Sequence, residues 1–225
     1  MTRGILIAGN ESTLLSAVAA ETEKRVKQYA EALIRSPVPI TAKAGLNPSK
    51  GRIAIDWNPA SPVSCRTLVL SAENRLGQIN DAVLVCSPPA LYCAPEGLVP
   101  AEIESRVNIQ IKGWFFLIRE LAVYFRSRGS GTMTLISPES YPAGGEPAGN
   151  SAADFLGSAA SSSFNSIVKG MLSCASGEPF QTLGFSFSES GREQEFAQWV
   201  FRILDQDSPK NSGKWHRFGK FTFFK

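Results

Sequence analysis

Histidine is almost missing from this chain: His216 is the only one in 225 residues. The four cysteines, Cys65, Cys86, Cys93 and Cys174, form no CxxC pair, so no cluster has the spacing of a zinc site, and ordinary reduced thiols with no bound metal are expected. Charge of one sign is also scarce. Against 23 Lys and Arg stand 20 Asp and Glu, and the scatter of that small +3 excess argues against a nucleic-acid surface. No apolar run approaches the roughly 20 residues of a membrane span. The opening Met1-Thr2-Arg3-Gly4, followed by Ile5-Leu6-Ile7-Ala8, is too short for a secretory signal, so a cytoplasmic protein is expected. No GxSxG segment marks a nucleophile elbow, which leaves a serine hydrolase unsupported.

What is present alternates. Residues 3–8 form an apolar run of strand length, and residues 12–34 carry helical periodicity through Leu14, Leu15, Val18, Val26, Tyr29, Ala30 and Leu33. Residues 37–41 read as a weak second strand and 52–56 as a third, with the turn Asn47-Pro48-Ser49-Lys50-Gly51 between them. A helix follows over 63–76. Residues 81–86 are a buried parallel strand, and 101–127 a long amphipathic helix. Strands at 132–137 and 181–187, helices at 151–175 and 192–205, and an aromatic strand at 215–224 complete the pattern. The expectation is one domain over residues 1–225, an α/β doubly wound parallel sheet with helices on both faces, because parallel strands need crossover helices.

Several stretches carry a family resemblance. Arg106-Val107-Asn108-Ile109-Gln110-Ile111-Lys112-Gly113, then Gly129-Ser130-Gly131 and Leu135-Ile136-Ser137, resemble the central helix and following strand of the short-chain dehydrogenase/reductase family. Leu76-Gly77-Gln78-Ile79-Asn80-Asp81-Ala82-Val83-Leu84-Val85 resembles the approach to its fourth strand, and Asn211-Ser212-Gly213-Lys214-Trp215 the turn into its last. The resemblance implies a Rossmann-type fold that binds NAD(P) and oxidises alcohols or reduces carbonyls.

The functional positions depart from that family one after another. The glycine-rich turn that admits a dinucleotide pyrophosphate to a helix N-terminus keeps Gly9 but has Thr13 and Leu15 at its next two glycines, with Glu11 beside the helix dipole. The Asn-Asn-Ala-Gly turn is replaced by Cys86-Ser87-Pro88-Pro89, whose prolines remove backbone donors. The active-site asparagine aligns with Gln110, or with the nearby Asn108, and the catalytic serine with Pro138, flanked by Ser137 and Ser140. The tyrosine and lysine fall at Gly157 and Ser161, which can neither protonate an alkoxide nor tune a neighbour's pKa. None of the four tyrosines has a lysine four positions on: Tyr29, Tyr92, Tyr124 and Tyr141 are followed there by Leu33, Glu96, Arg128 and Gly145. The segment between Phe187 and Arg192 is too short for the family's substrate lid. Asp56 still fits a cofactor role, although a polar strand-end residue explains it as well.

By resemblance, then, no residue here is catalytic, and the chain binds no cofactor of its own. It is similar to an inactive partner subunit in a heterotetramer, with NAD held by an active short-chain dehydrogenase paralogue. One such system, in anaerobic toluene degradation, oxidises 2-[hydroxy(phenyl)methyl]succinyl-CoA to benzoylsuccinyl-CoA. The small-residue helix 151–175, the helix 101–127 and the cluster Phe218, Phe221, Phe223 and Phe224 suit subunit contacts. The other reading is an enzyme on a repurposed scaffold: a divergent NAD(P)-dependent oxidoreductase, or a cofactor-free lyase or cyclase using Tyr141, Ser137 or Glu139. His216, lodged between Trp215 and Arg217, favours a structural position over a catalytic one.

Overall fold

The computed structural model describes residues 3–34, 51–138, 153–188 and 191–219. Seven parallel strands form one sheet: β1 (Ile5–Asn10), β2 (Tyr29–Ile34), β3 (Arg52–Ile55), β4 (Asp81–Val85), β5 (Thr132–Pro138), β6 (Gln181–Phe187) and β7 (Trp215–Phe218). Their order is β3-β2-β1-β4-β5-β6-β7, a doubly wound Rossmann-like sheet. The central strands read as continuous apolar runs because both faces are covered; all five residues of β4 are buried.

On one face pack α2 (Pro62–Leu76), α4 (Gly113–Arg128) and α5 (Phe155–Cys174), joined in a core containing Leu68, Trp114, Leu121 and Phe164. Trp114 meets Trp57 and Phe164 edge-on, with ring centroids 5.9 and 5.0 Å away. On the other face lie α1 (Thr13–Arg25) and α6 (Glu193–Leu204), around Leu15, Val18, Phe196 and Phe201. Helix ends follow local chemistry. Ser61 caps α2 ahead of Pro62, and Gly129, at φ 71°, ends α4 in the left-handed region where a Cβ is strained.

The helix expected over 12–34 stops at Arg25, and residues 29–34 form β2 between β1 and β3. Tyr29, Ala30 and Leu33 fit both periods; in the strand Tyr29 faces α1 and α6, while Ala30, Ala32 and Ile34 face α2. Thus the second strand is 29–34, and the expected strand at 37–41 and turn at 47–50 lie outside the described residues. The long helix 101–127 is also interrupted. Between α3 (Pro100–Val107) and α4, Asn108–Lys112 form a π turn in which the Gly113 N–H donates to Asn108 O. Such a turn inserts one residue and re-aims its side chains. Ser140, Glu139, Tyr141, Phe221, Phe223 and Phe224 lie outside the described residues.

Candidate functional site

In an open parallel sheet, ligands settle beyond the carboxyl ends of the strands where the strand order reverses. Here that point lies between β1 and β4. Asn10, at the end of β1, is buried, and its Nδ2 donates to Oε1 of buried Gln110 at 3.1 Å. The bond joins residues 100 apart and runs from β1 to the π turn that follows β4. Asn108, the other residue aligned with the family's asparagine, instead accepts at Oδ1 from Lys112 Nζ at 2.7 Å in an exposed contact.

Gly9 answers to a close approach of strands: a Cβ there would come 2.6 Å from Val85 O and 3.0 Å from Leu15 Cδ1. Leu15 is buried against this strand end. Ser12 Oγ accepts from the Leu15 N–H at 3.1 Å, using one of the free donors of the first turn of α1. The Thr13 hydroxyl bonds Glu193 Oε1 at 3.3 Å, and Glu11 and Glu193 line one shallow cleft beside the same helix end. These residues do not fit a dinucleotide pyrophosphate. An aliphatic side chain sits over the glycine, a donor is taken by the cap, and two carboxylates oppose a second anion at the helix's positive end.

After β4, Cys86 is fully buried with its N–H bonded to Ile136 O at 2.9 Å, and Pro88 is buried two residues on. Burial pushes the Cys86 thiol up, away from the thiolate, against a weaker opposing pull from the Trp114 indole. Pro138 is the last residue of β5. Beside it, Ser137 is buried and its Oγ contacts Asn165 Oδ1 on α5 at 2.6 Å. Gly157 donates its N–H to Asp154 Oδ1 at 2.9 Å, so the position aligned with the family's tyrosine serves the N-cap of α5. Ser161 is buried one turn later, and its Oγ has no hydrogen-bond partner among the described residues. Cys93 and Ala153 exchange backbone hydrogen bonds of 3.3 and 3.1 Å, tying the loop after β4 to the chain ahead of α5. Asp56 is exposed just beyond β3.

The set brings together amides, hydroxyls and a thiol. Hydrogen bonding is available, but among the described residues no phenol stands beside an ammonium to share proton transfer. Asn10, Asn165 and Asp154 were not singled out in the sequence. Asp154 carries a legible signal, an acidic residue just ahead of a helical run. The other two carry none, because their partners are 100 and 28 residues away. His216 lies in β7, stacked on Phe185 at 5.0 Å, well removed in strand order from the reversal point.

Solved structures match almost the whole chain. A short-chain dehydrogenase from Mycobacterium smegmatis superposes with a TM-score of 0.75 at 11% identity, covering 98% of this chain and 93% of its own. The chain has the short-chain dehydrogenase fold. An NADH-dependent reductase A1-R' complexed with NAD gives a TM-score of 0.73 at 14% identity, covering 96% of this chain and 95% of that one. The short-chain dehydrogenase/reductase from Serratia marcescens BCRC 10948 gives 0.68 at 14%, covering 96% of each. At such identities the short-chain dehydrogenase fold alone is shared, and function rests on the site. No protein-family model and no curated protein matches the sequence.

Proposed function

We propose that this chain is a non-catalytic subunit of a hetero-oligomeric short-chain alcohol dehydrogenase, and that NAD binding and chemistry belong to an active paralogue in the same assembly. The observation that carries this reading is the buried Asn10–Gln110 hydrogen bond. It links two buried amides at the strand-end crevice, one from the end of β1 and one from the position aligned with the family's active-site asparagine. Gly157 and Ser161 at the positions of the tyrosine and lysine agree with it.

Assembly is supported by the outer faces of two helices. Phe115 and Val123, two turns apart on α4, are 54% and 50% exposed, and Phe155 at the start of α5 is 41% exposed. A monomer gains nothing by presenting a spaced apolar stripe to water, whereas a helix–helix contact buries it. The substrate proposed for the assembly is an acyl-CoA-linked secondary alcohol, first of all 2-[hydroxy(phenyl)methyl]succinyl-CoA, oxidised to benzoylsuccinyl-CoA at the partner's site.

The test has two arms. The isolated chain is titrated with NAD(H) and NADP(H) by calorimetry, and it is co-expressed with each short-chain dehydrogenase encoded by neighbouring genes and examined by light scattering. The expected result is no micromolar dinucleotide affinity alone, and a stable hetero-oligomer with an active paralogue. Micromolar affinity in the isolated chain, or a monomer that ignores every paralogue, would sink the reading.

A further inference from the structure

The two helical layers differ in what they show to water. On α1 and α6 the exposed positions include Glu23, Glu195 and Arg202, charges of both signs, and neither helix exposes a large apolar side chain. On α2 and α4, which pack side by side, the pattern is reversed. Val63 and Leu70 on α2 are 74% and 48% exposed, and Phe115 and Val123 on α4 are exposed as well. The only carboxylates on these two helices, Glu73 and Glu120, are partly buried, and each already pairs with an arginine of α4, Glu73 with Arg128 at 3.7 Å and Glu120 with Arg119.

Helical spacing sets these residues on one outward surface. Val63, Arg66 and Leu70 follow one another three and four positions apart on α2, and Phe115, Arg119 and Val123 four positions apart on α4, in each case away from the residues that the helix buries. Each stripe reads apolar, arginine, apolar. The Arg119 side chain is 71% exposed and that of its partner Glu120 only 14%, so the guanidinium is the member of the pair that meets water. Such a surface is a poor match for the rest of this chain. A second copy set face to face places cations against cations, and a copy offering its α1–α6 side brings carboxylates but no large apolar residue.

We propose that the outer face of α2 and α4 is where this chain docks its partner subunit, and that the partner answers with a helical surface whose exposed Asp or Glu residues stand between apolar ones. The proposal rests on the reading of the chain as a partner subunit and supplies what that reading leaves open, the reason the assembly pairs unlike chains. Burial of Val63, Leu70, Phe115 and Val123 supplies the attraction. Carboxylates opposite Arg66 and Arg119 supply the choice of partner, because like charges across an interface disfavour the wrong one.

The test takes the full chain with each short-chain dehydrogenase encoded by neighbouring genes and reads the Kd by interferometry. The complex is expected to weaken by about threefold or more between about 0.05 and about 0.5 M NaCl. Arg66→Glu combined with Arg119→Glu should weaken it by about tenfold or more and reduce its salt dependence, with little change in melting temperature because the exposed Arg119–Glu120 pair contributes little to folding. Leu70→Gln combined with Phe115→Gln, exposed positions given a good helix former, should weaken it by about tenfold or more. Arg202→Glu, exposed on α6, should leave the affinity unchanged. A complex that ignores both double variants, or that Arg202→Glu weakens as much as they do, overturns this proposal and leaves the subunit reading standing; no complex with any paralogue overturns both. Self-association of the chain alone, or adsorption to phosphatidylserine vesicles, that the double variants abolish assigns the face to a second copy or to a membrane and also overturns it.

Discussion

At the amino ends of the strands, Arg3 reaches both Asp81 and Asp205, and Arg25 bridges Asp205 to Glu21. At the carboxyl ends, Asn10 bonds Gln110 and Ser137 bonds Asn165. The first set of contacts is a network of ion pairs; the second joins neutral amides and a hydroxyl. This fold does its chemistry at the carboxyl ends, and proton transfer there needs titratable groups tuned by neighbouring charge. One buried carboxyl with a shifted pKa lies at the opposite end: burial pushes the Asp81 carboxyl up while Arg3 pulls it back.

Four measurements test that contrast. The largest effect is expected at the charged end. Arg3→Met leaves Asp81, 2% exposed, without its guanidinium and should cost about 3 kcal/mol in urea unfolding. A loss under about 1 kcal/mol would mean that water replaces the arginine and that the amino end is less closed than its burial indicates. At the carboxyl end, Gln110→Leu strands the Asn10 amide and should cost about 2 kcal/mol, whereas Asn10→Leu with Gln110→Leu should cost less than the two single changes added together. Additive losses would show that the pair is not coupled.

Ser137→Ala removes the hydrogen bond to Asn165 and should cost at least about 1 kcal/mol, with no change in the activity of a co-assembled complex. A collapse of that activity would restore a catalytic reading of the carboxyl end. The smallest effect belongs to His216, whose pKa is lowered below 6.5 by burial and secondarily by Lys214. As pH falls through about 6.5 the unfolded chain takes up the proton first. The histidine's contribution is therefore full above that value and declines below it, until the folded ring also protonates. His216→Phe should keep the stack on Phe185 and flatten the melting temperature between about pH 7.5 and about 5.5.

Much of the fold was legible from pattern. The apolar run of β4, the glycines ending α2 and α4, and the strand–helix alternation are local signals, and the sheet follows from them because parallel strands must be crossed by helices. That Gly157 and Ser161 carry no phenol or ammonium was legible in the sequence directly, since residue identity settles it. The end of α1 was not. Tyr29, Ala30 and Leu33 satisfy helical and strand periods equally, and only pairing with β1 and β3 selects the strand. Nor was the choice between Asn108 and Gln110, which the π turn makes by pointing one amide outward and the other at Asn10. Residue identities alone thus told which groups stand at the positions aligned with the family's catalytic ones. That Asn10 bonds Gln110, and that Lys169, Ser186 and Arg217 line one cleft, was decided by tertiary packing, because such contacts join chain segments whose sequences carry no record of one another.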